Sequence, residues 1–161
     1  MGIPEGFCCA SAGSVSEMLM NQNTEDTSMV KLISGKKGSG KTKHLIEAIH
    51  AAEKESKGSV VAIQYGSSLN IDIYHKIRLI NVEDYKIKDY DDMFGFIAGL
   101  LASNYDTTDI FVDGILRIVG RDLDEVGRMF DRIASVSENV NIVFTISADT
   151  ADLPDSIKKY L

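Results

Sequence analysis

A chain of 161 residues with 44% apolar and 25% charged residues is long enough to bury one core with layers on both sides of a sheet. No apolar run approaches the roughly 18 residues that cross a bilayer as a helix. The net charge of −7 excludes a generally basic nucleic-acid surface, and two cysteines, adjacent at Cys8 and Cys9, exclude both a disulfide framework and a zinc pattern. That cysteine usage fits a reducing compartment and a cytoplasmic protein.

Residues 1–28 differ from the rest. They are rich in Ser, Gly, Asn and Thr, contain no Lys or Arg, and hold four acids, Glu5, Glu17, Glu25 and Asp26, which leaves −3 for the remainder. Without a basic region ahead of an apolar stretch they are not an ordinary secretory signal, and their composition predicts a disordered tail. Thr24-Glu25-Asp26 can be encoded with a GGAGG ribosome-binding sequence just upstream of a Met29 codon. This reads residues 1–28 as a non-native extension ahead of a start at Met29, with the domain occupying residues 29–161.

Residues 29–49, MVKLISGKKGSGKTKHLIEAI, run from a β-prone segment (Val30, Leu32, Ile33) through a glycine-rich turn. Leu45, Ile46, Ile49 and Ala52 then recur at helical spacing. The turn fits G-x-x-x-x-G-K-[ST] at Gly35, Gly40, Lys41 and Thr42, with Gly38 inside it. Glycines let successive backbone N–H groups wrap an anion, and the positive end of the following helix adds to that field. The residues assigned to nucleotide binding are Gly35, Lys36, Lys37, Gly38, Ser39, Gly40, Lys41, Thr42 and Lys43. Lys41 would reach β- and γ-phosphates as a point charge, and Thr42 would give its hydroxyl to Mg2+.

Polar residues 53–59 follow, with Gly58 read as a helix stop, and then an apolar strand at Val60, Val61, Ala62 and Ile63. Ligands of parallel sheets bind beyond the carboxyl ends of the strands, which draws attention to Gln64, Ser67 and Ser68. Residues 70–77 fit either a strand or two helical turns. His75 in that segment, with His44 and His50 elsewhere, forms no metal-binding spacing. Residues 78–85 read as a short strand with Glu83 and Asp84 at its carboxyl end. Asp89, Asp91 and Asp92 cap a crossover helix whose apolar face is Met93, Phe94, Ile97, Leu100 and Leu101.

Residues 109–113, DIFVD, are an apolar strand running into an acid. A helix over residues 122–136 follows, and Arg117 and Arg121 lie in the connecting loop, within reach of a nucleotide in this subunit or the next. Residues 141–147, NIVFTIS, form a buried strand turning polar at Thr145 and Ser147, and Pro154 opens a last short helix. Strands alternating with helices at this spacing predict a three-layer α/β/α sandwich with a mainly parallel sheet of four or five strands.

The phosphate-loop pattern followed by DIFVD resembles the P-loop NTPases over residues 29–161. The extra strand between the two motifs resembles the division that includes recombinases and motor ATPases. The chain also looks like a small bacterial family of ATP-binding proteins loosely named after twitching-motility ATPases, although none of that motor's further motifs is present. The resemblance implies ATP and Mg2+ as ligands, Asp113 as the Walker B residue sharing the metal with Thr42, and Thr145 or Ser147 as a polar sensor. No guanine-selecting N-K-x-D occurs, so ATP is expected rather than GTP. Gly114 stands where many relatives carry a water-polarising glutamate, which turns attention to Glu83 or Asp84 as the base. The expected catalytic set is therefore Lys41, Asp113, Glu83 and Thr145, in a slow Mg-dependent ATPase cleaving the β–γ bond. A nucleotide-binding regulatory or scaffold protein with negligible hydrolysis and a small-molecule kinase are the alternatives. A homo-oligomer or a protein partner supplying an arginine would raise the rate.

Overall fold

The computed structural model describes residues 29–69 and 77–161. The readings on the tail, its cysteines and residues 70–76 lie outside the described residues. Five strands, β1 (Val30–Ser34), β2 (Ser59–Gln64), β3 (Ile77–Asn81), β4 (Thr107–Val112) and β5 (Asn141–Ile146), form one sheet in the order β1-β5-β4-β2-β3. Every neighbouring pair is parallel, so all carboxyl ends open on one edge. The strands are joined through α1 (Lys41–Glu55), α2 (Tyr90–Ser103), α3 (Ile115–Ile118) and α4 (Leu123–Val136), and α5 (Asp155–Lys158) follows β5. The expected α/β sandwich with a parallel sheet is present, and β5 lies between β1 and β4.

Strand alternation divides the core. Val61 and Ile63 face one cluster with Met93, Ile97, Val126, Phe130, Ile133 and Ile157, while Val60 and Ala62 face a smaller one with Leu45 and Ile49 of α1. Both faces are therefore covered, which is why β2 reads as a continuous apolar run. Among the described residues no helix is long and apolar enough to cross a membrane.

Two local expectations change. The strand predicted over 78–85 ends at Asn81, because the Asn81 side chain accepts from Glu83 N at 3.3 Å and starts a 3-10 turn over Val82–Tyr85. Glu83 and Asp84 thus sit on that turn instead of on the strand. Gly58 is not the helix stop: α1 ends at Glu55, where Ser56 N donates to Ala52 O at 2.7 Å. Gly58 is needed for another reason, since a Cβ there would collide with the Asp106 carbonyl oxygen.

Candidate functional site

The loop after β1 bends through Gly38 (φ 82°) and Gly40 (φ 86°), both in the left-handed region that glycine enters without steric cost. Ser39 N donates to Lys36 O at 3.0 Å and His44 N to Gly40 O at 3.1 Å, closing the loop onto α1. The helices α2 and α4 carry acidic N-caps, Asp89 and Asp122, and acids in their first turns. By contrast, α1 has neither a side-chain cap nor an acid in its first turn, so its first N–H groups and positive dipole end face the cleft unneutralised. Lys41, only 8% exposed, folds its ammonium back to Lys36 O at 2.7 Å, with Ser39 Oγ at 3.5 Å.

Asp113 follows β4 and is 5% exposed. Thr145 on neighbouring β5, 1% exposed, donates its hydroxyl to Asp113 Oδ1 at 2.9 Å and accepts from Gly114 N at 2.7 Å. Thr42 Oγ1 approaches the same carboxylate oxygen at 3.4 Å. Strands in a sheet lie about 4.8 Å apart, so one intervening strand sets Asp113 roughly 10 Å from the loop's own strand.

The resulting cleft, about 740 Å3, is lined by Lys37, Gly38, Gly40, Lys41 and Thr42 on one side and by Asp113, Gly114, Arg117, Arg121, Thr145 and Ser147 on the other. Among the described residues four cationic side chains line it against a single carboxylate, in a chain whose net charge is −7. The cleft is thus locally positive in an acidic chain.

Of the residues expected from the sequence, the structure brings Lys37, Gly38, Gly40, Lys41, Thr42, Asp113, Thr145 and Ser147 together. Gly35 and Ser39 belong to the loop without lining the cleft. Lys36 turns away to Asp149 at 3.1 Å, and this lysine's hydrogen bond, then the Ala151 N–H and the lysine's charge, hold the Asp149 carboxyl below its ordinary pKa. Lys43 is exposed on α1 and outside the lining. Gln64 closes the turn after β2 by accepting from Leu69 N at 2.7 Å, and neither Ser67 nor Ser68 lines the cleft. Glu83 and Asp84 lie beyond β3, an edge strand two places from β4, and Glu83 Oε2 accepts from Asn81 Nδ2 at 3.5 Å. A residue that no motif singled out is Tyr65, whose ring lies under Arg117, with 5.3 Å from its centroid to the guanidinium carbon.

A hard cation suits this donor set, since the Thr42 hydroxyl and the Asp113 carboxylate converge on one point of the cleft. Among the described residues no group of three or more His, Cys, Asp or Glu side chains could hold a metal alone. Magnesium commonly binds in this way, through one or two protein oxygens with phosphate and water supplying the rest.

No protein-family model matches the sequence, and no curated protein matches it. Among solved structures, the chain is similar to the monomer form of the pCW3 conjugation coupling protein TcpA, determined with ATPgS, at 13% identity and a TM-score of 0.42. The match covers 81% of this chain and 46% of that one, so this chain spans less than half of the neighbour's length. At that distance the likeness carries no inference about ligand or activity.

Proposed function

We propose that this protein binds ATP with Mg2+ in the cleft between α1 and β4 and hydrolyses its β–γ bond slowly. The observation that carries the proposal is the uncapped N-terminus of α1 behind a loop with two left-handed glycines, facing four cations and one carboxylate. Loop N–H groups and Lys41 would hold the β- and γ-phosphates, Lys41 exchanging its bond to Lys36 O for phosphate oxygen. Thr42 and Asp113 would hold the magnesium ion. Bound there, the ion would neutralise charge developing on the phosphates. Thr145 would keep the Asp113 carboxylate aimed at the cleft through the hydroxyl that it donates to Oδ1.

A specific observation limits the rate. Among the described residues no carboxylate apart from Asp113 lines the cleft, and Gly114 has no side chain to polarise water, its N–H being given to Thr145. Glu83 is left out of the proposed catalytic set because its strand is at the far edge of the sheet. Turnover is therefore expected well below the roughly 10 per second typical of enzymes. The same observation favours, as a second reading, a regulatory protein that binds nucleotide without hydrolysing it.

Calorimetry with MgATP tests binding. Lys41→Ala should weaken it at least about tenfold, or ~1.4 kcal/mol, and unchanged affinity in a folded variant rules out this site. Phosphate release by the wild type then separates the two readings, with none at all favouring regulation.

A further inference from the structure

Arg117 differs from the helix-surface arginines in lacking a carboxylate partner among the described residues, although Arg132 also lies over a ring, that of Phe94. Arg128 is paired with Glu125 and Arg132 with Asp91. Arg117 forms no ion pair among the described residues and instead lies over the Tyr65 ring, 5.3 Å from its centroid. A ring attracts a guanidinium through its face and leaves the N–H donors at the rim available, whereas a carboxylate would occupy them. The contact holds the cation without neutralising it.

Tyr65 is itself anchored on both sides. It follows β2, whose Ile63 carbonyl accepts from Asp113 N at 2.9 Å, and the next residue, Gly66, donates its N–H to Asn81 Oδ1 at 3.0 Å. Its ring packs against the larger core cluster. Gly114 clears the path for the arginine: a Cβ at that position would lie 3.3 Å from Arg117 Cδ, and the backbone φ of +69° is one that side chains rarely adopt. The arginine stem thus crosses the space that a side chain beside Asp113 would fill.

Arg117 lines the same cleft as the loop residues Lys41 and Thr42, on the short helix that follows Asp113 and Gly114. A phosphate chain that begins in the loop and runs toward Asp113 would bring its last phosphate toward that helix. Resting on the nucleotide reading above, we propose that Tyr65 is a positioning residue that presents Arg117 to the terminal phosphate of a bound nucleoside triphosphate. The site thereby distinguishes triphosphate from diphosphate.

The test is calorimetry on the full chain with ADP and with a non-hydrolysable ATP analogue, each with Mg2+. The wild type should bind the triphosphate more tightly. Arg117→Ala should weaken the triphosphate by about tenfold or more, since it removes a charge-assisted hydrogen bond to phosphate, and weaken ADP far less. Tyr65→Leu should reproduce that selective loss, while Tyr65→Phe, which keeps the ring, should retain the discrimination. General loosening of the fold would weaken both nucleotides together. Equal losses for both nucleotides in Arg117→Ala overturn the proposal, as does undiminished discrimination in Tyr65→Leu or lost discrimination in Tyr65→Phe. If Tyr65→Leu does not fold, Arg117→Ala and Tyr65→Phe still decide it. A wild type that binds neither nucleotide refutes the nucleotide reading instead.

Discussion

Asp113 gains its definition from a hydroxyl and a backbone N–H that the sequence leaves 31 or 32 residues apart. Thr145 bridges them: its hydroxyl hydrogen goes to the carboxylate, and its lone pair takes the Gly114 N–H. Thr145→Val keeps the shape and removes both bonds, stranding a buried donor and leaving the carboxylate with fewer partners. A loss of about 1–3 kcal/mol is expected in urea denaturation, and Thr145→Ser should recover most of it. A valine variant as stable as wild type would mean that water replaces the hydroxyl at no cost. The loop side of the site was legible in the sequence because its requirements are local: glycine where φ is positive, then Lys and Thr at fixed offsets. Glu83 was not legible as an outlying residue, since an acid after a short strand reads the same whether that strand is central or at the edge. Nor was Tyr65, for no sequence pattern marks an aromatic ring that meets an arginine 52 positions away.

The elements owe their ends to short-range chemistry. Asp89 and Asp122 accept from N–H groups in the first turns of α2 and α4, and both helix starts could be read from the sequence. The end of α1 could not, because Gly58 looks like a stop signal and is in fact a point of close approach. There the entry to β2 passes under the entry to β4, with Ser59 N donating to Asp106 O at 2.8 Å, Gly58 N to Ser56 Oγ at 3.2 Å, and Ser56 Oγ touching Thr108 Oγ1. Gly58→Ala places a methyl against the Asp106 carbonyl, a backbone atom that cannot rotate away. The expected cost is about 1–3 kcal/mol, in the range of overpacking. An alanine variant with unchanged thermal stability would show that the β2–β4 entry shifts freely. The strand predicted over 78–85 was overlong for a similar reason: Asn81 offers the backbone a side-chain acceptor in place of the next ladder bond.

On the scale of the whole molecule, the segment through α5 ties the large core to the edge of the sheet. Tyr160 sets its ring edge-on to Phe130 at 5.7 Å between centroids, and its carbonyl accepts from Leu32 N on β1 at 2.7 Å. Its hydroxyl donates to Asp131 Oδ1 at 2.5 Å, which also pairs with Lys159 Nζ at 2.6 Å. Burial pushes the Asp131 pKa up, but the hydrogen bonds from Lys159 and Tyr160, with the lysine's charge, bring it below the ordinary 3.8. A carboxylate whose folded pKa is lowered contributes stability that is complete above 3.8 and is lost as pH falls through the folded value. The pair is about half exposed, so solvent screening holds that contribution to at most about 1 kcal/mol. Urea denaturation of wild type and Asp131→Asn should show a gap at neutral pH that closes under acid conditions, and a pH-independent gap would assign it to packing. The sequence by itself determined the glycine-rich turn into α1, the amphipathic faces of α2 and α4 and the alternation that yields a parallel sheet, because each depends on neighbours within a few positions. Only the tertiary structure decided the strand order. Apolar runs of similar length do not encode which run lies beside which, and their mutual burial chooses. That choice set β5 between β1 and β4, joined Thr145 to Asp113, carried Glu83 to the outer edge, and brought Tyr65 beneath Arg117.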